Sequence, residues 1–230
     1  PGARVFSSNS FDAKFLDVLN LAHNELSEVP QFDRFDNLRC LKLEGNRLQR
    51  LHQKTFRGVH YDSSTYLESF DEGGMPLEDL NLEQNQLTEL HPDCFVYYSQ
   101  LRENLLELKL GGNRLTALPD GLFNGRQGLS KLRTLQLQSN RLVRLPQKIF
   151  QNLPRLQSLN LSQNKLDELP PGLFDGLNLT IIDLSHNNLT VVDAKLFHLE
   201  NLTTLDLRGN RLTDTTRQDL ARLKVELHVD

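Results

Sequence analysis

One eleven-residue pattern, Leu-x-x-Leu-x-Leu-x-x-Asn-x-Leu, recurs along this 230-residue chain and constrains its fold more than any other feature. Its eight copies begin at Leu16, Leu38, Leu77, Leu105, Leu132, Leu156, Leu179 and Leu202. The frame has one apolar exception, Ile182, at the second leucine position of the seventh copy. A pattern that recurs about every 20–29 residues predicts a stack of similar coils, none of which can bury its own apolar side chains.

The spacing within each copy predicts a short strand followed by a turn. Leu19 and Leu21 lie two residues apart, so a strand sends both side chains to one face and Asn20 to the other. The asparagine of each copy should close the turn, and its amide should satisfy backbone groups of that turn and of the next coil. These asparagines are therefore predicted to be structural: Asn24, Asn46, Asn85, Asn113, Asn140, Asn164, Asn187 and Asn210.

The second half of most repeats contains a phenylalanine, preceded by Leu-Pro-x-x-x or a close variant. Proline interrupts a regular helix because it lacks the N–H donor and clashes with the preceding turn. The convex side of the coil is therefore predicted to consist of turns and 3₁₀ segments, with the phenylalanines in the core. The members of this column are Phe56, Phe95, Phe123, Phe150, Phe174 and Phe197.

Over residues 16–212, these repeats resemble the "typical" leucine-rich repeats of animal extracellular proteins, such as Toll-like receptor ectodomains and Slit-type proteins. The resemblance implies an α/β solenoid: a curved right-handed coil of eight repeats with a parallel concave sheet and a convex side of turns and 3₁₀ segments. It also implies a non-catalytic recognition module, the ligand-binding part of an extracellular or cell-surface receptor-like protein, with a role such as innate immunity.

The cysteine content keeps a second location open. Those families usually close the solenoid with disulfide-rich modules, whereas this chain has two cysteines, Cys40 and Cys94. The repeat frame places Cys40 on the concave side and Cys94 on the convex side, so we expect no disulfide between them. Two free thiols favour a reducing compartment or a fragment of a longer protein. The alternative is therefore a cytoplasmic leucine-rich repeat scaffold or a regulatory or inhibitor subunit.

The chain is predicted to form one domain with a cap at each end of the repeats. In the N-terminal cap, residues 1–15, Phe6, Phe11 and Phe15 are expected to cover the first coil. In the C-terminal cap, residues 213–230, Thr213 and its neighbours favour a helix start, and the apolar pattern around Leu227 favours a final strand.

Three consecutive repeats are longer than the others. The steps between repeat starts are 22, 39, 28, 27, 24, 23 and 23 residues, and the insertions at 57–76, 96–104 and 124–131 all follow the phenylalanine. Stacked coils would place them side by side as one ridge on the convex or ascending edge. All four tyrosines of the chain lie in the first two insertions.

Tyrosine is favoured at recognition surfaces because it combines a large apolar area with a polar tip. The ridge is therefore predicted to bind a protein or peptide, with the acidic Asp71 and Glu72 selecting a basic partner. Alternatively, its aromatic residues pin a long loop to the scaffold. The predicted ridge residues are Tyr61, Tyr66, Phe70, Asp71, Glu72, Tyr97 and Tyr98.

The concave face is the alternative binding surface. The residues between and after the inward leucines form two polar columns of mixed charge, which either bind a protein or form a solvated face. The candidates there are Lys42, Glu83, Lys109 and Gln136. Asn-x-Ser/Thr sequons, each a weak signal, begin at Asn160, Asn178, Asn188 and Asn201. A glycan at Asn160 would block the nearby concave face and shift binding towards the N-terminal half.

Other functional classes lack support in the sequence. The net charge of −4 gives no sign of nucleic-acid binding, and no apolar run is long enough to cross a bilayer. The seven histidines lack metal-ligand spacing, and no nucleophile or phosphate-loop motif occurs. We therefore expect no enzyme activity, cofactor or metal. The sequence does not indicate an oligomeric state.

Overall fold

The computed structural model describes residues 15–30, 37–56, 76–95, 99–123 and 128–230. Each of the eight repeats contributes one short strand to a nine-stranded parallel sheet, and residues near the C-terminus add the ninth strand. The predicted leucine-rich repeat solenoid is confirmed. The sheet strands are β1 (Val18–Asn20), β2 (Cys40–Lys42), β4 (Asp79–Asn81), β6 (Glu107–Lys109), β7 (Thr134–Gln136), β8 (Ser158–Asn160), β9 (Ile181–Asp183), β10 (Thr204–Asp206) and β11 (Glu226–His228).

The strands stack in strict register, so each frame position forms a column across the sheet. Leu108 in β6 pairs with Leu135 in β7, which in turn pairs with Leu159 in β8, and all three are fully buried. The residues on either side of these leucines are partly exposed. The sheet therefore has an apolar inner face and a polar outer face, which we call the concave face.

The asparagine column ties each coil to its predecessor. Asn113 donates from Nδ2 to the carbonyl oxygens of Leu82 and Leu110, at 3.0 Å each. Its Oδ1 accepts the backbone N–H of Leu87 at 3.0 Å. The structural role is confirmed, but the predicted link to the next coil was wrong. Leu82 and Leu87 belong to the preceding coil, so the side chain links its own turn backwards along the solenoid.

The phenylalanine column forms the convex part of the core, as predicted. Five consecutive ring pairs, from Phe56 to Phe197, have centroid distances of 6.0–6.5 Å. All six rings are buried. The segments around them are turns, except for a 3₁₀ helix at Ala194–Phe197. Four of the pairs are stacked with interplanar angles of 13–20°, and the Phe174–Phe197 pair is tilted by 35°. The stacking follows from the repeat because every coil places its ring at the same position.

Two elements lie outside the expected pattern. A short parallel pair, β3 (Arg50–Leu51) with β5 (Glu89–Leu90), forms a second sheet between repeats two and three. Helix α1 (Ser99–Asn104) occupies the described part of the second insertion. Near the C-terminus, helix α2 (Asp214–Leu220) and strand β11 are present where a helix and a strand were predicted, and the Oγ of Thr213 caps α2 by accepting the N–H of Thr216 at 3.3 Å.

The expectation for the front of the solenoid was partly wrong. Phe15 exposes 85% of its surface, so it does not cover the first coil. It directly precedes the first leucine of its repeat, a position that is also exposed at Asn178 and Asn201. Phe6 and Phe11 lie outside the described residues, as do residues 57–75, 96–98 and 124–127 of the three insertions.

Candidate functional site: the concave face

On the described part of the concave face, side chains in or next to strands β4, β6 and β7 are linked to one another. Lys109, predicted as a candidate, lies between two carboxylates, one from the adjacent strand β4 and one from its own strand β6. Its Nζ is 3.3 Å from each carboxylate oxygen of Asp79 and 2.9 Å from Oε2 of Glu107. The ammonium group thus links β4 to β6 and is held in place before any partner arrives.

Opposing effects act on the pKa of Lys109. Partial burial disfavours the charged form, whereas the hydrogen bond with Glu107 and the charge of Asp79 favour it. The carboxylates prevail, and the pKa is raised above its ordinary value. Lys109 therefore stays cationic throughout the physiological range, and its role is that of a fixed charge rather than a proton donor.

Glu83, a second predicted candidate, forms a bridge across a glycine. Its Oε1 accepts Nε2 of Gln138 at 2.9 Å, although the two residues are separated by one coil. The intervening position is Gly111, and a methyl group there would lie 2.6 Å from Nε2 of Gln138 and 2.9 Å from Oε1 of Glu83. The absent side chain is what allows the two long side chains to meet.

The other two predicted candidates are less connected. Lys42 and Gln136 are half-buried on β2 and β7, in the same column as Lys109. The structure therefore brings Lys109 and Gln136 side by side, and places Glu83 in the adjacent column. Lys42 lies on the same face in β2, the strand that precedes β4 in the sheet.

Sequence reasoning missed the acidic partners of Lys109. Asp79 and Glu107 are the first residues of their strands, and they share the concave face because side chains alternate along a strand. The signal was available: the residue two positions before each predicted concave residue must face the same way. The same column includes Cys40, whose Sγ lies 3.9 Å from Oδ2 of Asp79.

The two cysteines are free, as expected. Cys40 is half-buried on the concave face, and Cys94 is buried in the core next to Phe95. Burial raises the pKa of both thiols, and the charge of Asp79 adds to the effect at Cys40. Neither thiol has the depressed pKa of a reactive nucleophile.

The predicted ridge site cannot be placed in the same way. All of its residues lie outside the described part of the chain: Tyr61, Tyr66, Phe70, Asp71, Glu72, Tyr97 and Tyr98. Helix α1 and the segment from Gly128 onwards are the described remainders of the second and third insertions. The ridge therefore stays a prediction from the sequence.

The four sequon asparagines occupy three different surfaces. Asn160 is half-buried in β8 on the concave face, and Asn188 is half-buried directly after the buried Asn187. Asn178 and Asn201 are exposed at the edge where each coil returns from the convex side to the sheet.

Within the described ranges, no set of three or more His, Cys, Asp and Glu side chains is arranged to hold a metal ion. Within the same ranges, no helix has the length and apolar character required to cross a membrane.

Comparison with known families agrees with this architecture. A family model described as leucine rich repeat matches residues 130–189 and 178–226, and a second model with the same description matches residues 76–97. The human leucine-rich repeats and immunoglobulin-like domains protein 1 is 32% identical over 175 residues, which cover 70% of this chain and 15% of that protein. Mouse podocan is 32% identical over 153 residues, covering 61% of this chain and 23% of podocan.

Among solved structures, the Toll–Spatzle complex of Drosophila contains a chain that superimposes with a TM-score of 0.62 at 25% identity. The match covers 88% of this chain and 28% of the other. The chain thus spans less than a third of the length of each of these proteins.

Proposed function

Because this chain belongs to the leucine-rich repeat proteins, we propose that it is the ligand-binding part of an extracellular or cell-surface receptor-like protein and has no catalytic role. The human relative supports this proposal, because its name joins leucine-rich repeats to immunoglobulin-like domains, a fold that many cell-surface proteins share. The Toll structure supports a protein partner, because it is described as a complex with Spatzle.

We assign binding to the concave face between β2 and β8, and the linked side chains around Lys109 carry this assignment. Lys109, Asp79 and Glu107 hold one another in place, as do Glu83 and Gln138. Side chains that are already ordered lose less conformational entropy when a partner binds, so this region can convert polar contacts into affinity efficiently.

The charge of this region favours a partner with basic groups. The second column presents Glu44 and Glu83 on adjacent coils, and Lys109 is already neutralised by Asp79 and Glu107. The carboxylates thus exceed the lysines on this part of the face. A basic partner would be attracted over a longer range and would meet carboxylates that are already positioned.

The test compares matched variants of the whole chain. Partners captured by crosslinking from cell surfaces and culture medium are identified with the wild type and then titrated against Glu44→Ala/Glu83→Ala and Arg155→Ala. Arg155 is exposed but lies outside the concave face. We expect the double variant to weaken binding by about 1–3 kcal/mol, whereas the control binds like the wild type. Equal binding by all three proteins would remove the concave face from consideration.

The ridge is a second candidate site, favoured because three consecutive repeats lengthen at one point and every tyrosine lies there. If it binds the partner, Tyr66→Ala or Tyr97→Ala should weaken binding by about 1–3 kcal/mol. Replacing residues 60–74 with a short Gly-Ser link should abolish it. A deletion variant that binds at full strength would leave the concave face as the site.

The alternative of an intracellular scaffold or regulatory subunit rests on the two free cysteines. Localisation of the endogenous protein by surface labelling and fractionation discriminates the two. Protein confined to the cytosolic fraction would overturn the extracellular assignment.

A further inference from the structure

The structure distinguishes two of the four sequons from the others. Asn178 and Asn201 directly precede the first leucine of the seventh and eighth repeats, and both are exposed. Strands β9 and β10 pair in register three residues after each asparagine, so the two positions are stacked on adjacent coils. Nδ2 of Asn201 donates to Oδ1 of Asn178 at 2.5 Å.

The rest of each sequon has the same conformation in both coils. The hydroxyl of Thr180 donates to the carbonyl oxygen of Gln157 at 3.0 Å, and that of Thr203 donates to the carbonyl oxygen of Thr180 at 2.9 Å. The threonines therefore anchor the edge to the preceding coil, while the asparagine side chains stay at the surface.

We propose that Asn178 and Asn201 are N-glycosylation sites. Their two glycans would cover the C-terminal part of the edge where the coils return to the sheet, while the concave face stays open. In the transfer step, Nδ2 loses one proton and bonds to the anomeric carbon of a lipid-diphosphate-linked oligosaccharide, while the bond from that carbon to the diphosphate oxygen breaks and the lipid diphosphate leaves. Each modified amide keeps one N–H and its Oδ1, so it can still form one hydrogen bond in each direction. This inference rests on the extracellular location in the proposed function.

The other two sequons are poor positions for a folded glycoprotein. Asn160 stands between Gln136 and Asp183 on neighbouring strands, about 4.8 Å away on each side, and its Oδ1 accepts from both N and Oγ of Ser162. A saccharide there would have to displace side chains of the sheet face. Asn188 is half-buried between the buried residues Asn187 and Leu189. Folding with a glycan at either position is therefore disfavoured.

The test uses the full chain fused to a secretion leader and produced in a glycosylating eukaryotic host. Folded, secreted protein is treated with a peptide N-glycosidase in ¹⁸O-water, which marks each formerly glycosylated asparagine as labelled aspartate for peptide mass spectrometry. We expect the label at Asn178 and Asn201, with Asn160 and Asn188 unlabelled. Intact mass should show two glycans on the wild type, one on Asn178→Gln or Asn201→Gln, and none on the double variant.

The outcome separates this inference from the proposed function, because the leader supplies the secretory route regardless of natural location. Secreted protein without a glycan at Asn178 and Asn201, or with equal occupancy at Asn160, would overturn the inference even if the protein still binds its partner. The double variant should bind the partner like the wild type, since the glycans lie off the concave face. A tenfold change in its affinity would contradict the claim that the glycans leave that face open.

Discussion

At the residue scale, the buried asparagines stabilise this fold by hydrogen-bonding to backbone groups of two coils. Asn140 donates from Nδ2 to the carbonyl oxygens of Leu110 and Leu137, at 3.0 and 3.1 Å, and accepts the N–H of Leu115 at 3.1 Å. The carbonyl oxygens of Leu110 and Leu137 also accept from Asn113 and Asn164, at 3.0 Å each, whereas the buried Leu115 N–H has the Asn140 amide as its partner. Loss of the Asn140 side chain therefore leaves one buried N–H unmet and removes one of two donors from each carbonyl.

We predict that Asn140→Ala lowers the free energy of unfolding by about 1–3 kcal/mol, the cost of one buried polar group without a partner. Urea unfolding followed by circular dichroism measures the change. The matched control is Asn24→Ala in the first repeat, where the asparagine is exposed and water can replace the amide. A loss of similar size in both variants would contradict the role of burial.

Leu137 gives the corresponding prediction for the apolar ladder. Its side chain is fully buried, and Leu137→Ala should cost about 2–5 kcal/mol through lost burial and a residual cavity. Val191→Ala is the control, because Val191 exposes 65% of its surface and should change stability by no more than about 0.5 kcal/mol. A loss below about 1 kcal/mol at Leu137 would contradict the inward position of this leucine.

The thiols should differ in reactivity. Burial raises the pKa of Cys94 and, to a smaller extent, that of Cys40, so both contain little thiolate near neutral pH. We predict that iodoacetamide modifies the half-buried Cys40 slowly at pH 8 and Cys94 only after unfolding. Peptide mass spectrometry over time measures both rates. Rapid modification of native Cys94, or a disulfide-linked peptide containing both cysteines, would show that the assigned positions are wrong.

At the element scale, the sequence predicted the strands well because leucine alternation and the repeat frame both specify them. It predicted α2 and β11 from the Thr213 cap and the apolar residues around Leu227. It missed α1 because insertion residues have no repeat partner to fix their conformation. It missed the β3–β5 pair because that pairing depends on how two particular coils stack.

The candidate site was less predictable than the strands. Lys109 and Glu83 were found because charge stands out in a column. Their partners Asp79 and Gln138 were not found, because both contacts cross between coils. The Glu83–Gln138 contact also depends on the missing side chain of Gly111. A single sequence shows which residues share a face but not which side chains reach each other.

The Gly111 gap yields a prediction that separates binding from stability. Gly111→Ala places a methyl group against the flexible ends of Gln138 and Glu83, which can move apart, so stability should change by less than about 1 kcal/mol. The Glu83–Gln138 bond should open, and partner affinity should fall. Gly112→Ala is the contrast: its φ of +66° is strained for alanine, so it should destabilise by about 1–3 kcal/mol. Thermal unfolding and a binding titration of both variants test this difference.

At the scale of the whole molecule, the solenoid is a chain of nearest-neighbour contacts. Every described strand pairs only with the strands of adjacent coils, and the phenylalanine rings stack in the same order. Stability is then a sum over coils and their interfaces, and a coil at the end has one interface instead of two. The C-terminal element should therefore protect the coil beneath it.

This arrangement predicts the effect of removing residues 213–230. Helix α2 contributes the fully buried Leu220, and β11 pairs with β10 through hydrogen bonds such as Leu207 N–H to the carbonyl oxygen of His228 at 2.8 Å. Without them, the leucines of the eighth repeat and the open edge of β10 are exposed to water. We expect a chain ending at residue 212 to melt at a lower temperature and to self-associate through that edge. Light scattering after size exclusion and thermal unfolding measure both effects.

Leu220→Ala, which keeps β11 in place, should lower the melting temperature without causing association. A truncated chain that stays monomeric and equally stable would show that β10 needs no cover.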